Sequence, residues 1–170
     1  MAGERLMARF EIAMVVEGDM SGILEIEKGS FSPPWTHEQL LSEIYNDDSF
    51  FVIARNPNDM SIIGYVILRR VSDIGELLSI AVAESSRGKG AGESLLLAAL
   101  AFAKENGLIT VFLEVRKSNA AAVSLYIKHG FKPIRLRKNY YEEPVEDAVE
   151  MGLDLTGGRF SCQEMTSGKA

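Results

Sequence analysis

Short apolar runs alternate with polar breaks that carry glycine or proline along most of the chain. FEIAMVV (residues 10–16) reads as a strand ended by Gly18-Asp19. Asp19 is placed to cap a helix running to about residue 28, with Ile23, Leu24 and Ile26 as its apolar contacts. Two prolines in SFSPPWT (30–36) exclude helix there, and Thr36 with Gln39 matches a capping box opening a second helix, THEQLLSEIY. SFFVIAR (49–55) reads as a buried strand, and the turn NPNDM joins it to SIIGYVILRRV as a hairpin. ELLSIAV (76–82) is a further strand, followed by SSRGKGAGESLLLAAL and a helix from about 90 to 105, stopped by Asn106-Gly107. ITVFLEV (109–115) is a strand, Asn119 opens a helix that ends at His129-Gly130, and FKPIRLRKNYY and AVEMGLDL close the chain as two strands.

The order is therefore βααβββαβαββ, a mixed α/β chain with parallel pairing in its middle and antiparallel strands on either side. At 170 residues one domain is expected. We place it at 9–155, with a short extension over 1–8 and a polar, glycine-containing tail over 156–170, both expected to be flexible.

Composition narrows the function classes. A net charge of -6 opposes a general nucleic-acid binder, whose footprint would be basic, and suits a cationic substrate. The single cysteine, Cys162, cannot form an internal disulfide and fits a reducing cytoplasm. No apolar run approaches the roughly 20 residues that cross a bilayer. The opening MAGERLMARF lacks an apolar signal core, and Met7 is an alternative start. Two distant histidines, His37 and His129, and a tail cysteine give no metal-ligand spacing, and no G-x-S-x-G elbow or Cys-His pattern suggests a hydrolase.

The unusual stretch is Arg87-Gly88-Lys89-Gly90-Ala91-Gly92, three glycines and two cations at a helix entrance. A helix start carries unsatisfied N–H donors and a partial positive charge, and glycines let an anion approach the backbone. The stretch is not a nucleotide-hydrolysing P-loop, because no Ser or Thr follows Lys89. It does not match G-x-G-x-x-G, because position 95 is leucine. A bland flexible turn is the competing reading.

Those six residues match the R/Q-x-x-G-x-G/A signature of the GNAT superfamily of N-acetyltransferases. LSIAVAESSRGKGAGESLL, LEVRKSNAAAVSLYIKHGF and RKNYY resemble its bacterial RimI branch, which acetylates the N-terminal amine of a ribosomal protein; the likeness spans about 10–155. The resemblance implies a mixed central sheet splayed where acetyl-CoA enters. It implies that Arg87, Gly88, Lys89, Gly90, Ala91, Gly92 and Glu93 hold the pyrophosphate, and that the main chain of Ile80, Ala81 and Val82 pairs with pantetheine. There an N–H would polarise the thioester carbonyl. Acetyl-CoA is thus the expected cosubstrate, with no metal.

Glu114 shares a strand face with Phe112 and Arg116, and from spacing alone a surface pair with Arg116 is the favoured reading. The resemblance instead makes Glu114 the proton acceptor. Tyr126, two helical turns after Asn119 on the same face, reads from pattern alone as a core tyrosine; the resemblance makes it the proton donor to coenzyme A sulfur. Asn119 is an N-cap that, in the family, also bonds the pantetheine arm. Phe31, Trp35, Tyr140 and Tyr141 are the implied acceptor walls, with Trp35 as a core anchor the competing reading. In a regular strand Tyr140 and Tyr141 would point to opposite faces. FSPPW is longer than the F-P-W of RimI-like chains, a difference expected to reshape the acceptor pocket.

The implied activity is direct transfer of acetyl to a protein α-amine, the acceptor being the N-terminus of a ribosomal protein in the cytoplasm, with no membrane and no direct nucleic-acid contact. Two rivals stay open: the same chemistry on a lysine or small amine, and a non-catalytic acyl-CoA-binding module.

Overall fold

The computed structural model describes residues 10–157. The extension at 1–8, the tail beyond residue 157 and Cys162 lie outside them. In chain order the elements are β1 (Glu11–Met14), α1 (Met20–Ser30), α2 (His37–Ile44), β2 (Ser49–Arg55), β3 (Ile62–Val71), β4 (Ile74–Val82), α3 (Ala91–Glu105), β5 (Thr110–Arg116), α4 (Ala120–Lys128), β6 (Lys132–Glu142) and β7 (Val145–Asp154). Short 3-10 turns precede α1 at Glu17–Asp19 and follow β4 at Glu84–Ser86. The strands hydrogen-bond in the order β1-β2-β3-β4-β5-β7-β6. The element order matches the one read from the pattern, and the parallel pair expected in its middle is β4 with β5. No helix among the described residues is long and apolar enough to cross a membrane.

The described residues divide into two compact units, 10–68 with 79–101 and 69–78 with 102–157, and β4 contributes to both. In the first unit β2 and β3 are near-continuous apolar runs, and Phe51, Ile53, Tyr65, Ile67 and Leu68 are essentially inaccessible. Strands covered on both faces read this way rather than alternating. Ile23 of α1, Leu40 of α2 and Leu95 and Leu96 of α3 are buried as completely. Each such side chain contributes roughly 1.5–3 kcal/mol relative to exposure. The capping box of α2 is present: Gln39 N–H donates to Thr36 Oγ1 at 3.2 Å, and Thr36 N–H donates to Gln39 Oε1 at 2.8 Å.

Asp19 corrects one expectation. It stands at the N-cap of α1, but its side chain makes no capping bond. The carboxylate instead accepts the Val16 N–H at 3.0 Å and takes the Arg55 guanidinium at 2.5 Å. A buried carboxylate next to a cation is worth more to the fold as an ion-pair partner than as a cap.

The second unit alternates cleanly. Val111, Leu113 and Val115 of β5 are buried, while Phe112, Glu114 and Arg116 are half-exposed on the other face. Phe131, Ala148 and Met151 join the buried set. α4 is capped by Asn119, whose side chain accepts the Ala122 N–H at 3.2 Å, and it ends at Gly130 with φ 90°. α3 likewise stops at Gly107, φ 69°. The register of β5 with β7 runs from Thr110↔Asp154 to Arg116↔Ala148, whereas that with β4 stops at Leu77↔Leu113.

Candidate active site

In the first unit the chain leaves β4 through the Glu84–Ser86 turn and enters α3 at Ala91. Gly88 and Gly90 have φ of 73° and 92°, a left-handed conformation that side chains disfavour. A Cβ on Gly88 would meet nothing within 4 Å, so the loop is open on that side. The first N–H groups of an α-helix lie beyond the reach of its own carbonyls, and in α3 the helix starts at Ala91. Donors, dipole and open glycines suit a pyrophosphate.

The two cations of the loop are turned onto the loop itself. Arg87 donates through Nε to the Val82 carbonyl at 3.1 Å and through Nη2 to Ser30 Oγ at 3.4 Å. Lys89 Nζ donates to the Ser85 carbonyl at 2.9 Å. Both side chains are exposed, so they brace the glycine turn while leaving positive charge beside it. Ile80, Ala81 and Val82 lead into this turn at the end of β4, and Ala83 N–H donates to the Ile63 carbonyl at 2.8 Å. The acceptor-wall candidates Phe31 and Trp35 flank the proline loop of the same unit. Phe31 is exposed and Trp35 half-buried, so Trp35 is not a fully enclosed core anchor.

The second unit groups the other candidates. Glu114 does not pair with Arg116, as spacing suggested. It takes the guanidinium of Arg137 from β6, and Arg116 is occupied by Glu146 at 3.3 Å and by the carbonyls of Glu143 and Pro144. The cause is register. Arg116 and Arg137 both lie opposite Ala148, whose small side chain lets Arg137 reach over β7. Glu114 lies opposite a second carboxylate, Glu150, which Arg135 holds at 2.6 Å. Like charges in direct opposition are unfavourable, and the two arginines of β6 offset them. This arrangement went unread because it depends on three strands, although the alternating Arg135 and Arg137 were visible signals.

Tyr140 and Tyr141 are not on opposite faces. Their rings meet edge to face with centroids 5.1 Å apart. β6 is irregular there: Asn139 has φ 50°, and the register shifts between Arg137 and Tyr141. Arg137 lies 4.4 Å over the Tyr140 ring and Arg116 4.1 Å over that of Tyr141. The Glu114 carboxylate beside its hydroxyl raises the pKa of Tyr140. Burial, then Glu114 and Tyr140, push Tyr141 up to about 12 against the pull of Arg116. Tyr126 is buried at 4% exposure, its ring against Phe131 at 5.7 Å, and burial raises its pKa well above that of a free phenol. It is packed in the core, as its pattern alone suggested, and is a phenol held neutral. No group of His, Cys, Asp and Glu side chains among the described residues is placed to hold a metal ion.

Residues 20–131 match the Acetyltransferase (GNAT) family. The chain belongs to that family. Among relatives of this acetyltransferase, the ribosomal protein bS18-alanine N-acetyltransferase of Haemophilus ducreyi is 33% identical over 85% of this chain and 99% of its own. That of Escherichia coli K12 is 30% identical over 81% of this chain and 93% of its own. The crystal structure of the Escherichia coli ribosomal-protein-S18-alanine N-acetyltransferase superposes with TM-score 0.78 at 28% identity, covering 89% of this chain and 97% of the other. Ard1 of Thermoplasma volcanium superposes with TM-score 0.79 at 25% identity, over 86% and 98%. An acetyltransferase of this family uses acetyl-CoA as its cosubstrate, and one structural neighbour, from Thermoplasma acidophilum, is described in complex with coenzyme A.

Proposed function

We infer that this protein moves acetyl from acetyl-CoA to the N-terminal α-amine of a ribosomal protein in the cytoplasm. The observation that carries this reading is the grouping of Glu114 and Tyr140 around the Arg137 guanidinium, with the Tyr141 ring edge-on against Tyr140. A carboxylate that already holds a cation, walled by two phenols, is chemically suited to a protonated amine. The names of the relatives supply the acceptor class.

An α-amine has a pKa of about 8, so it arrives mostly as ammonium. It replaces the Arg137 guanidinium at Glu114, and the carboxylate takes one of its protons. The freed nitrogen attacks the thioester carbonyl, forming the C–N bond as the C–S bond breaks. The oxygen that gains charge is met by a main-chain N–H at the end of β4. Tyr126 gives its proton to the departing sulfur and recovers one from the nitrogen as the amide forms. The helix start at Ala91–Glu93 and the left-handed glycines hold the pyrophosphate, and the Asn119 amide holds the pantetheine arm. Phe31 and Trp35 wall the acceptor.

Labelled acetyl-CoA offered with a peptide mixture tests the reading. Products acetylated at the α-amine of a ribosomal-protein N-terminus are expected. Label on lysine side chains alone, or tight acetyl-CoA binding with no transfer, would overturn it.

A further inference from the structure

Glu27 is a fully buried carboxylate on α1 that the acetyl-transfer chemistry does not use. Its backbone carbonyl accepts the Phe31 N–H at 2.9 Å, and its carboxylate oxygen Oε2 accepts the Trp35 N–H at 2.9 Å. One residue therefore closes both ends of the loop 31–35. The other oxygen, Oε1, accepts the hydroxyl of Tyr65, which is itself inaccessible and lies 3.0 Å from Ser79 Oγ. Burying an ionised side chain is costly unless its oxygens are satisfied, and here both are.

Pro33 and Pro34 carry no N–H, and residues 31–34 are exposed. Beyond it, the Thr36–Gln39 box satisfies only the start of α2. The main-chain path of the loop is thus tied at both ends to Glu27, whose carboxylate is rooted in β3 through Tyr65.

We propose that Glu27 is the positioning residue that sets acceptor affinity, by fixing the proline loop through its joint bonds to the Trp35 N–H and the Tyr65 hydroxyl. This rests on the reading of that loop as an acceptor wall. Glu27 is fully buried, and it acts through Trp35.

Trp35 is the only tryptophan of the chain, so its fluorescence reports the loop directly. In the full-length protein, Glu27→Ala is expected to red-shift Trp35 emission and make it more readily quenched by acrylamide. It is expected to raise the KM for an α-amine peptide about tenfold while the KM for acetyl-CoA stays within about twofold. Glu27→Gln, whose amide oxygen can still accept the Trp35 N–H, is expected to restore most of both readouts. A folded Glu27→Ala with wild-type quenching, or with altered quenching but an unchanged peptide KM, overturns the proposal. So does a parallel rise in both KM values, which a merely structural role would give. If Glu27→Ala does not fold, amide exchange on the wild type decides: a protected Trp35 amide is expected, and free exchange at the intrinsic rate overturns it. A wild type that acetylates no α-amine would instead sink the function reading, and the quenching and exchange results would still judge the Glu27 anchor.

Discussion

The Arg137 guanidinium, on β6, crosses β7 above Ala148 to rest on the Glu114 carboxylate of β5. The candidate base of the free protein is thus already matched with a cation. In the proposed mechanism substrate ammonium displaces this guanidinium, which couples the two residues energetically. Glu114→Gln is expected to lower kcat by about 10²–10⁴-fold, the usual range for losing a general base. Arg137→Gln is expected to change acceptor KM and loosen Tyr140, and the double variant to be no slower than Glu114→Gln alone. Steady-state kinetics on the four proteins check this; full additivity of the two losses would show that Arg137 acts elsewhere.

Tyr126→Phe removes a hydroxyl and leaves the ring against Phe131. A kcat reduction of about 10²-fold with both KM values near wild type is the expected outcome. Thermal unfolding should move little. A wild-type kcat would return Tyr126 to a packing role only.

Alkaline stability follows from the tyrosines. Tyr141 ionises near 12 in the folded protein and near 10 in the unfolded chain, and Tyr65 and Tyr126 are shifted in the same direction. Between those values the unfolded chain has given up protons that the native protein keeps. Stability is therefore complete below about pH 10 and falls as pH rises towards 12. Denaturant midpoints measured from pH 9 to 11.5 should decline, and Tyr141→Phe should decline less steeply. Equal slopes would contradict the burial of that phenol.

Gly64→Ala tests the strand that leads into the glycine turn. A Cβ there would lie 2.7 Å from the Ala81 carbonyl oxygen and 3.0 Å from Leu95 Cδ1. Relief requires backbone movement at Ala81, so a loss of about 1–3 kcal/mol in stability is expected, with weaker acetyl-CoA binding. Denaturant unfolding and calorimetry together measure it, and a neutral variant would show that β4 has room to yield.

What the sequence revealed and what it hid divide along physical lines. The strand and helix order, the Thr36–Gln39 box, the Asn119 cap and the Gly107 and Gly130 stops are local features. Each follows from a few adjacent residues and the backbone geometry they prefer. The glycine turn was legible for the same reason. Glu114 with Arg137 was not, because its partner is set by the register of three strands and by the smallness of Ala148. Nor was the meeting of Tyr140 with Tyr141, which needs the left-handed Asn139 to interrupt the alternation. Asp19 and Glu27 look like ordinary helix residues in the sequence, and only folding brings Arg55 to the first and Tyr65 to the second.

Pairing of β5 with β4 ends at Leu113, while pairing with β7 continues through Arg116. A strand that loses one neighbour in this way offers bare peptide groups, and in the proposed reading an amide-bearing cofactor arm is recognised by backbone alone. Recognition of that kind is blind to side-chain identity. Descendants of such a chain can rewrite the proline loop and the tyrosine hairpin to greet new acceptors, and still keep the same acyl donor.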